Sequence, residues 1–191
     1  ILADSIQFQV QSDNSALHYN LSLAMVSANG YQILNPSFAG SLANNMLTAD
    51  FKATDAKGKT KYLFAGNLKK ENSNYRLSFI QDSMILNYQT WTMAPDNYLV
   101  FGSKTLYAHD VLLSNGNQSF KINSTGSQSE NSPVEVALTD FDLSDLAHLI
   151  DSKRVPFGGV INGTVQLKNL QTAPGFTADL SIADFTFMAD T

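Results

Sequence analysis

The chain has 191 residues, with 17 acidic and 12 basic side chains, a net charge of −5 and no cysteine. The lack of any basic run argues against a nucleic-acid partner. The lack of cysteine excludes disulfides and cysteine-based metal sites. The length is sufficient for one large β domain, or two small ones, with a substantial core.

Apolar and polar residues alternate along most of the first half, as in strands that bury one face. Clear stretches are residues 6–10, 47–53, 62–68 and 75–79. The segments between them, such as the loop KKENSN at 69–74, are rich in turn-forming residues. The chain starts inside such a pattern, without an initiator methionine or a signal peptide. We therefore expect 1–191 to be a single β-rich segment of a longer protein.

A second series of strands follows the break APDN, which gives a candidate sub-boundary near 95. Residues 134–138 alternate, and Ser144 then stands where a helix N-cap belongs, ahead of apolar residues at helical spacing. This pattern predicts one short helix near 144–151. After Pro156 the period returns to two.

About a dozen short strands, separated by Gly, Asn and Ser turns, predict an all-β antiparallel fold. The apolar face of such a sheet must be removed from water, at roughly 25 cal/mol per Å². It can pack on a second sheet, close on itself, or be covered by molecules that are not protein. Alternation alone leaves these solutions open.

No catalytic or metal-binding constellation is present in the sequence. The histidines lie far apart, without metal-type spacing, and no nucleophile motif or phosphate-binding glycine loop occurs. His109 and Asp110 are adjacent, but neighbours on a strand point to opposite faces. We therefore expect no enzyme activity, no cofactor and no metal.

The last third of the chain carries a family resemblance. The run FDLSDLAHLI, then GGVINGTVQLKNL, then a proline-containing loop and FTADLSIADFTF resemble in order and spacing the C-terminal region of TamB proteins, in the AsmA-like superfamily. WTMAPDNYLVF and YAHDVLLSNGNQSFKI upstream are similar to the segment that precedes it in those proteins. The resemblance covers roughly 91–187, about half of the chain.

The resemblance implies an elongated, curved antiparallel sheet that forms a groove, the β-taco, with an apolar interior. It further implies a cell-envelope protein of the periplasm, anchored to the inner membrane through a part of the chain absent here. Such proteins are similar to bridge-like lipid transfer proteins. Expected partners are phospholipid or another acyl-chain ligand, neighbouring β segments of the same chain, and a BamA-like outer-membrane barrel protein. The implied function is transport of phospholipid toward the outer membrane, assistance to outer-membrane protein assembly, or both.

In this interpretation acyl chains cover the apolar face, and each buried methylene contributes roughly 0.8 kcal/mol. The predicted groove residues are Tyr62, Phe64, Leu68, Leu77, Phe79, Leu86, Phe120, Ile122, Val136, Leu138, Ile161, Val165, Leu167, Leu180 and Ile182. The same residues would form the core of an ordinary β-sandwich. The alternative function is therefore a sandwich-type binding or adhesin-like module of the cell surface, with its ligands at loops such as 126–133.

Overall fold

The structure is a computed structural model that describes residues 1–28, 31–80, 84–103, 105–126, 132–145, 157–170 and 173–187. Within these ranges the chain forms eighteen β-strands, and every recorded strand pair is antiparallel. In chain order the strands are β1 (Leu2–Asp4), β2 (Gln7–Ser12), β3 (Leu17–Ser22), β4 (Met25–Ala28), β5 (Tyr31–Leu34), β6 (Ser37–Ala43), β7 (Met46–Thr54), β8 (Thr60–Glu71), β9 (Asn74–Phe79), β10 (Met84–Leu86), β11 (Gln89–Met93), β12 (Tyr98–Gly102), β13 (Leu106–His109), β14 (Val111–Asn115), β15 (Gln118–Ser124), β16 (Val134–Asp142), β17 (Phe157–Lys168) and β18 (Gly175–Phe187). The prediction of an all-β antiparallel fold is confirmed.

Fifteen strands belong to one sheet, and β1, β4 and β5 form a small separate sheet. The large sheet runs from β2 through β3, β6 and β7 to β8, and from β14 through β15, β16 and β17 to β18. Strands β2 and β18 lie at its two ends, so the sheet is open. Strands on both sides of Pro95 belong to it.

Two strand pairs, arranged end to end, fill the middle of the sheet between β8 and β14. One half of β8 pairs with β9, which continues to β12 and β13, and the other half pairs with β10, which continues to β11 and β14. Only Asp110, with a φ of 43°, separates β13 from β14. Strands β13 and β14 therefore form one kinked strand, in which the series β9–β12–β13 and the series β10–β11–β14 meet.

Asn97 fills the gap between the two strand pairs. Its side-chain amide accepts a hydrogen bond from Phe79 N (2.8 Å) and donates to Phe79 O (2.9 Å) and Ala94 O (2.8 Å). The residue is buried. The amide thus supplies the donor and the acceptor that a neighbouring strand would otherwise provide.

The face of the large sheet that carries Trp91 and Phe141 is concave, and we call it the inner face. Strands β11 and β16 are three steps apart in the sheet, which is about 14 Å along a flat sheet. The Trp91 and Phe141 ring centroids are nevertheless 5.8 Å apart. The sheet is therefore curved around a core cluster formed by Met84, Trp91, Met93, Ala108, Val111, Phe141, Leu143 and Ile161.

A helical turn begins at Leu143, where the sequence predicts a short helix. The Asp142 carboxylate accepts a hydrogen bond from Ser144 N (2.7 Å), so Asp142 caps the turn. The prediction of Ser144 as N-cap was wrong, because the cap is Asp142 and the turn starts two residues earlier than a Ser144 cap would place it. The rest of the predicted helix, 146–151, lies outside the described residues.

Candidate functional site

Strand register places all of the predicted groove residues on the inner face. Phe120, for example, is paired with Leu138, which is paired with Gly163 and through it with Leu180. On the other side of the middle, Leu86 is paired with Tyr62, two residues before Phe64 on the same strand. The remaining predicted residues follow the same period-two relation: Leu68, Leu77, Phe79, Ile122, Val136, Ile161, Val165, Leu167 and Ile182.

An aromatic row crosses the strands on the inner face of the first half. Phe8, Leu21, Phe38, Phe51 and Phe64 are successive register partners. Ring centroids are 4.7 Å apart both for Phe38 with Phe51 and for Phe51 with Phe64. Such contacts add stability beyond the burial of apolar area. The row also extends the inner face to residues that the sequence analysis did not include.

A leucine row crosses the same strands further along. It consists of Leu17, Leu42, Leu47, Leu68, Leu77 and Leu99, each paired with the next. Small residues separate the two rows, because Gly40, Ala49 and Gly66 are register partners between them. The Tyr19 hydroxyl donates to Thr48 O (3.1 Å) across Gly40, so the tyrosine ring covers the glycine.

The centre of the inner face is a packed core and not an open groove. Phe79, Leu86, Phe120, Ile122 and Leu138 are partly buried against the core cluster. Neighbouring side chains, above all Trp91 and Phe141, occupy the space in front of them. Sequence reasoning missed these two residues as core, because period two identifies a face but not how strongly a sheet curves.

A cavity of about 180 Å³ remains beside this core. Its apolar wall is formed by Leu86, Trp91, Leu113, Phe120 and Phe141. Its mouth is polar. The Asp145 carboxylate accepts hydrogen bonds from the amides of Gln89 (3.0 Å) and Gln118 (3.3 Å), and Asn115 donates to Gln89 (2.9 Å).

The two ends of the inner face are open. At one end the edge strand β2 exposes Phe8 (64%) and Val10. At the other end all thirteen residues of β18 are exposed, including Leu180 (43%) and Ile182. Apolar side chains at this exposure are unfavourable in water and favour contact with another apolar surface.

Two tyrosines of the inner face remain neutral at ordinary pH. Burial raises the pKa of Tyr62, and burial together with the charge of Asp50 raises the pKa of Tyr19. Both phenols therefore stay protonated and contribute apolar surface. This protonation state is compatible with an apolar ligand.

His109 and Asp110 lie closer together than strand alternation predicts. Asp110 adopts a positive φ, and its carboxylate lies 3.9 Å from His109 Nε2 and 3.0 Å from Lys121 Nζ. The expectation of opposite faces was wrong, because the kink at Asp110 breaks the alternation. The hydrogen bond from Lys121 lowers the pKa of the Asp110 carboxyl. Asp110 and Lys121 therefore form an ion pair, and both side chains are partly exposed.

Within the described part of the chain, no group of three or more His, Asp or Glu side chains could hold a metal ion. The same residues contain no helix with the length and hydropathy needed to cross a membrane.

Comparisons of the chain with family models, with curated proteins and with solved structures return no match. The TamB-like assignment therefore stays a prediction, based on the motifs of residues 91–187.

Proposed function

We propose that this chain is a non-enzymatic, lipid-binding segment of a β-groove protein of the cell envelope. The observation that carries the proposal is one apolar face that continues across the large sheet and is exposed at both ends. A self-contained module would cover such a face with its own residues. Here Phe8 at one edge and Leu180 at the other stay in contact with solvent.

Acyl chains are a suitable cover for these ends. They have no polar groups that need partners, and the exposed inner-face side chains at the two ends, such as Phe8 and Leu180, offer none in return. Each methylene removed from water contributes roughly 0.8 kcal/mol. Several methylenes per chain therefore give useful affinity without any specific contact.

The proposed setting follows the TamB-like resemblance. The segment would belong to an inner-membrane-anchored protein of the periplasm that conducts phospholipid toward the outer membrane, assists outer-membrane protein assembly with a BamA-like partner, or does both. The outer edges of β2 and β18 pair with no other described strand, which fits this setting, because neighbouring β segments of a longer chain would extend the sheet there.

The first test is to extract the purified chain with organic solvent and to analyse the extract by mass spectrometry. Phospholipid should be present in it. The delipidated chain should then rebind a fluorescent acyl probe. A chain that carries no lipid and does not rebind the probe would refute the proposal.

A matched pair of variants locates the binding surface. Leu180→Asp changes the inner face of β18 and should weaken probe binding about three- to tenfold, since roughly half of a leucine's transfer energy is at stake. Ser181→Asp changes the opposite face of the same strand and should leave binding unchanged. Equal effects of the two substitutions would show that the probe does not bind to the inner face.

The packed centre favours a second candidate, a sandwich-type binding or adhesin-like module. That candidate requires an interior filled by side chains, as Trp91 and Phe141 fill it here. The loop 126–133, expected to bind its ligands, lies mainly outside the described residues. A stably folded chain without lipid would favour this second function.

A further inference from the structure

The inner face of the large sheet is almost free of charge. Among its register-paired residues, Lys70 is the one charged side chain in the described part of the chain. Lys70 is paired with Tyr75 and lies two residues after Leu68 on β8. Its neighbours Lys69 and Glu71 belong to the outer face by alternation. Lys70 is exposed, so its ammonium group is accessible to a ligand.

Lys70 lies in a trough of about 450 Å³ beside the leucine row, near the turns that follow β6 and β8. Leu42, Leu47 and Leu68 form the apolar part, and Asn45, Asn72 and Tyr75 contribute polar groups. No carboxylate among the described residues forms an ion pair with Lys70. The trough therefore offers one uncompensated positive charge, together with amide and hydroxyl donors.

We propose that this trough binds the anionic headgroup of a single-chain or two-chain amphiphile, with the ammonium group of Lys70 as its counter-ion. This inference rests on the proposed lipid-binding function and specifies the charge of the ligand. The headgroup contacts Lys70 and the amides of Asn45 and Asn72. An acyl chain then follows the leucine row.

The geometry of the row suits an acyl chain. Leu47, Leu68, Leu77 and Leu99 lie on four adjacent strands, so the row spans about 14 Å across the sheet. It runs from the trough toward Ala108 of the core cluster, with which Leu99 is paired. Charge and apolar surface are thus arranged in the order in which they occur in an anionic lipid. A zwitterionic headgroup gains less, because its own cation is repelled by Lys70.

Calorimetry with two ligands of equal chain length tests the inference on the whole 191-residue chain. The ligands are dodecyl phosphate and dodecylphosphocholine, both below their micelle concentrations, and inorganic phosphate serves as a competitor. The chain should bind dodecyl phosphate about fivefold more tightly, the size expected of one solvent-exposed charge pair. Lys70→Met and Lys70→Gln should abolish the preference. The outer-face control Lys69→Met should keep it.

The other outcomes separate this inference from the proposed function. If both ligands bind and Lys70→Met leaves the ratio of their affinities unchanged, the headgroup assignment is overturned and lipid binding stands. If inorganic phosphate displaces dodecyl phosphate at equal concentration, the trough is a site for free anions and the inference fails. If neither dodecyl ligand binds, both proposals fail.

Discussion

Replacement of Asn97 by alanine should destabilise the fold, because the Asn97 side chain bridges the gap between the two middle strand pairs. The substitution removes three hydrogen bonds and leaves Phe79 N–H, Phe79 C=O and Ala94 C=O without these partners. A hydrogen bond in a folded protein contributes about 1 kcal/mol net, and an unsatisfied buried group costs about 1–3 kcal/mol. We expect a loss of about 2–4 kcal/mol in the free energy of unfolding.

Urea unfolding followed by tryptophan fluorescence measures this loss. Trp91 is the one tryptophan of the chain and is buried in the core cluster, so its emission reports on the region concerned. Asn117→Ala, in the exposed turn between β14 and β15, is the matched control and should change stability by less than about 0.5 kcal/mol. A loss below about 1 kcal/mol for Asn97→Ala would refute the bridging role.

Two further predictions concern a glycine and an ion pair. Gly40→Ala should lower the free energy of unfolding in urea by about 1–3 kcal/mol, because a Cβ would collide with the Thr48 carbonyl oxygen. Gly116 has open space around it but a positive φ, so it is unsuitable as a control. The control is Ala39→Ser on the outer face. Asp110→Asn should flatten the acid limb of the stability profile. The lowered folded pKa of Asp110 stabilises the fold above its ordinary value of 3.8, and this contribution is lost as the pH falls below that value toward the folded pKa. An unchanged acid limb would show that the pair with Lys121 contributes nothing.

The membership of the inner face could be predicted from the sequence, because a strand has a strict period of two and a one-residue slip would expose the whole apolar set. For this reason Phe64, Leu138 and Ile182, far apart along the chain, were all assigned to the face on which register places them. Their assignment needed no knowledge of which strands are neighbours.

The shape of the sheet could not be predicted in the same way. Curvature depends on twist and on irregularities such as the kink at Asp110 and the bulge that contains Asp140, where a positive φ interrupts the alternation in a way that the sequence does not reveal. The alternation of apolar and polar residues therefore could not show that the Trp91 and Phe141 rings are in contact. Lys70 was missed for a related reason. The sequence KKENSN reads as a loop, whereas β8 continues to Glu71.

The end-to-end strand pairs in the middle of the sheet give the interior two different cross-sections. At the β10–β11 end, Met84 and Trp91 are sealed from solvent, while at the β9–β12 end Tyr75 (41%) and Phe101 (37%) remain accessible. Two short pairs can twist independently where one long pair could not. The middle of the sheet is consequently closed along one margin and accessible along the other, and the accessible margin is where Lys70 lies. A ligand of the proposed kind would therefore enter from the side, without travelling the length of the sheet from either edge.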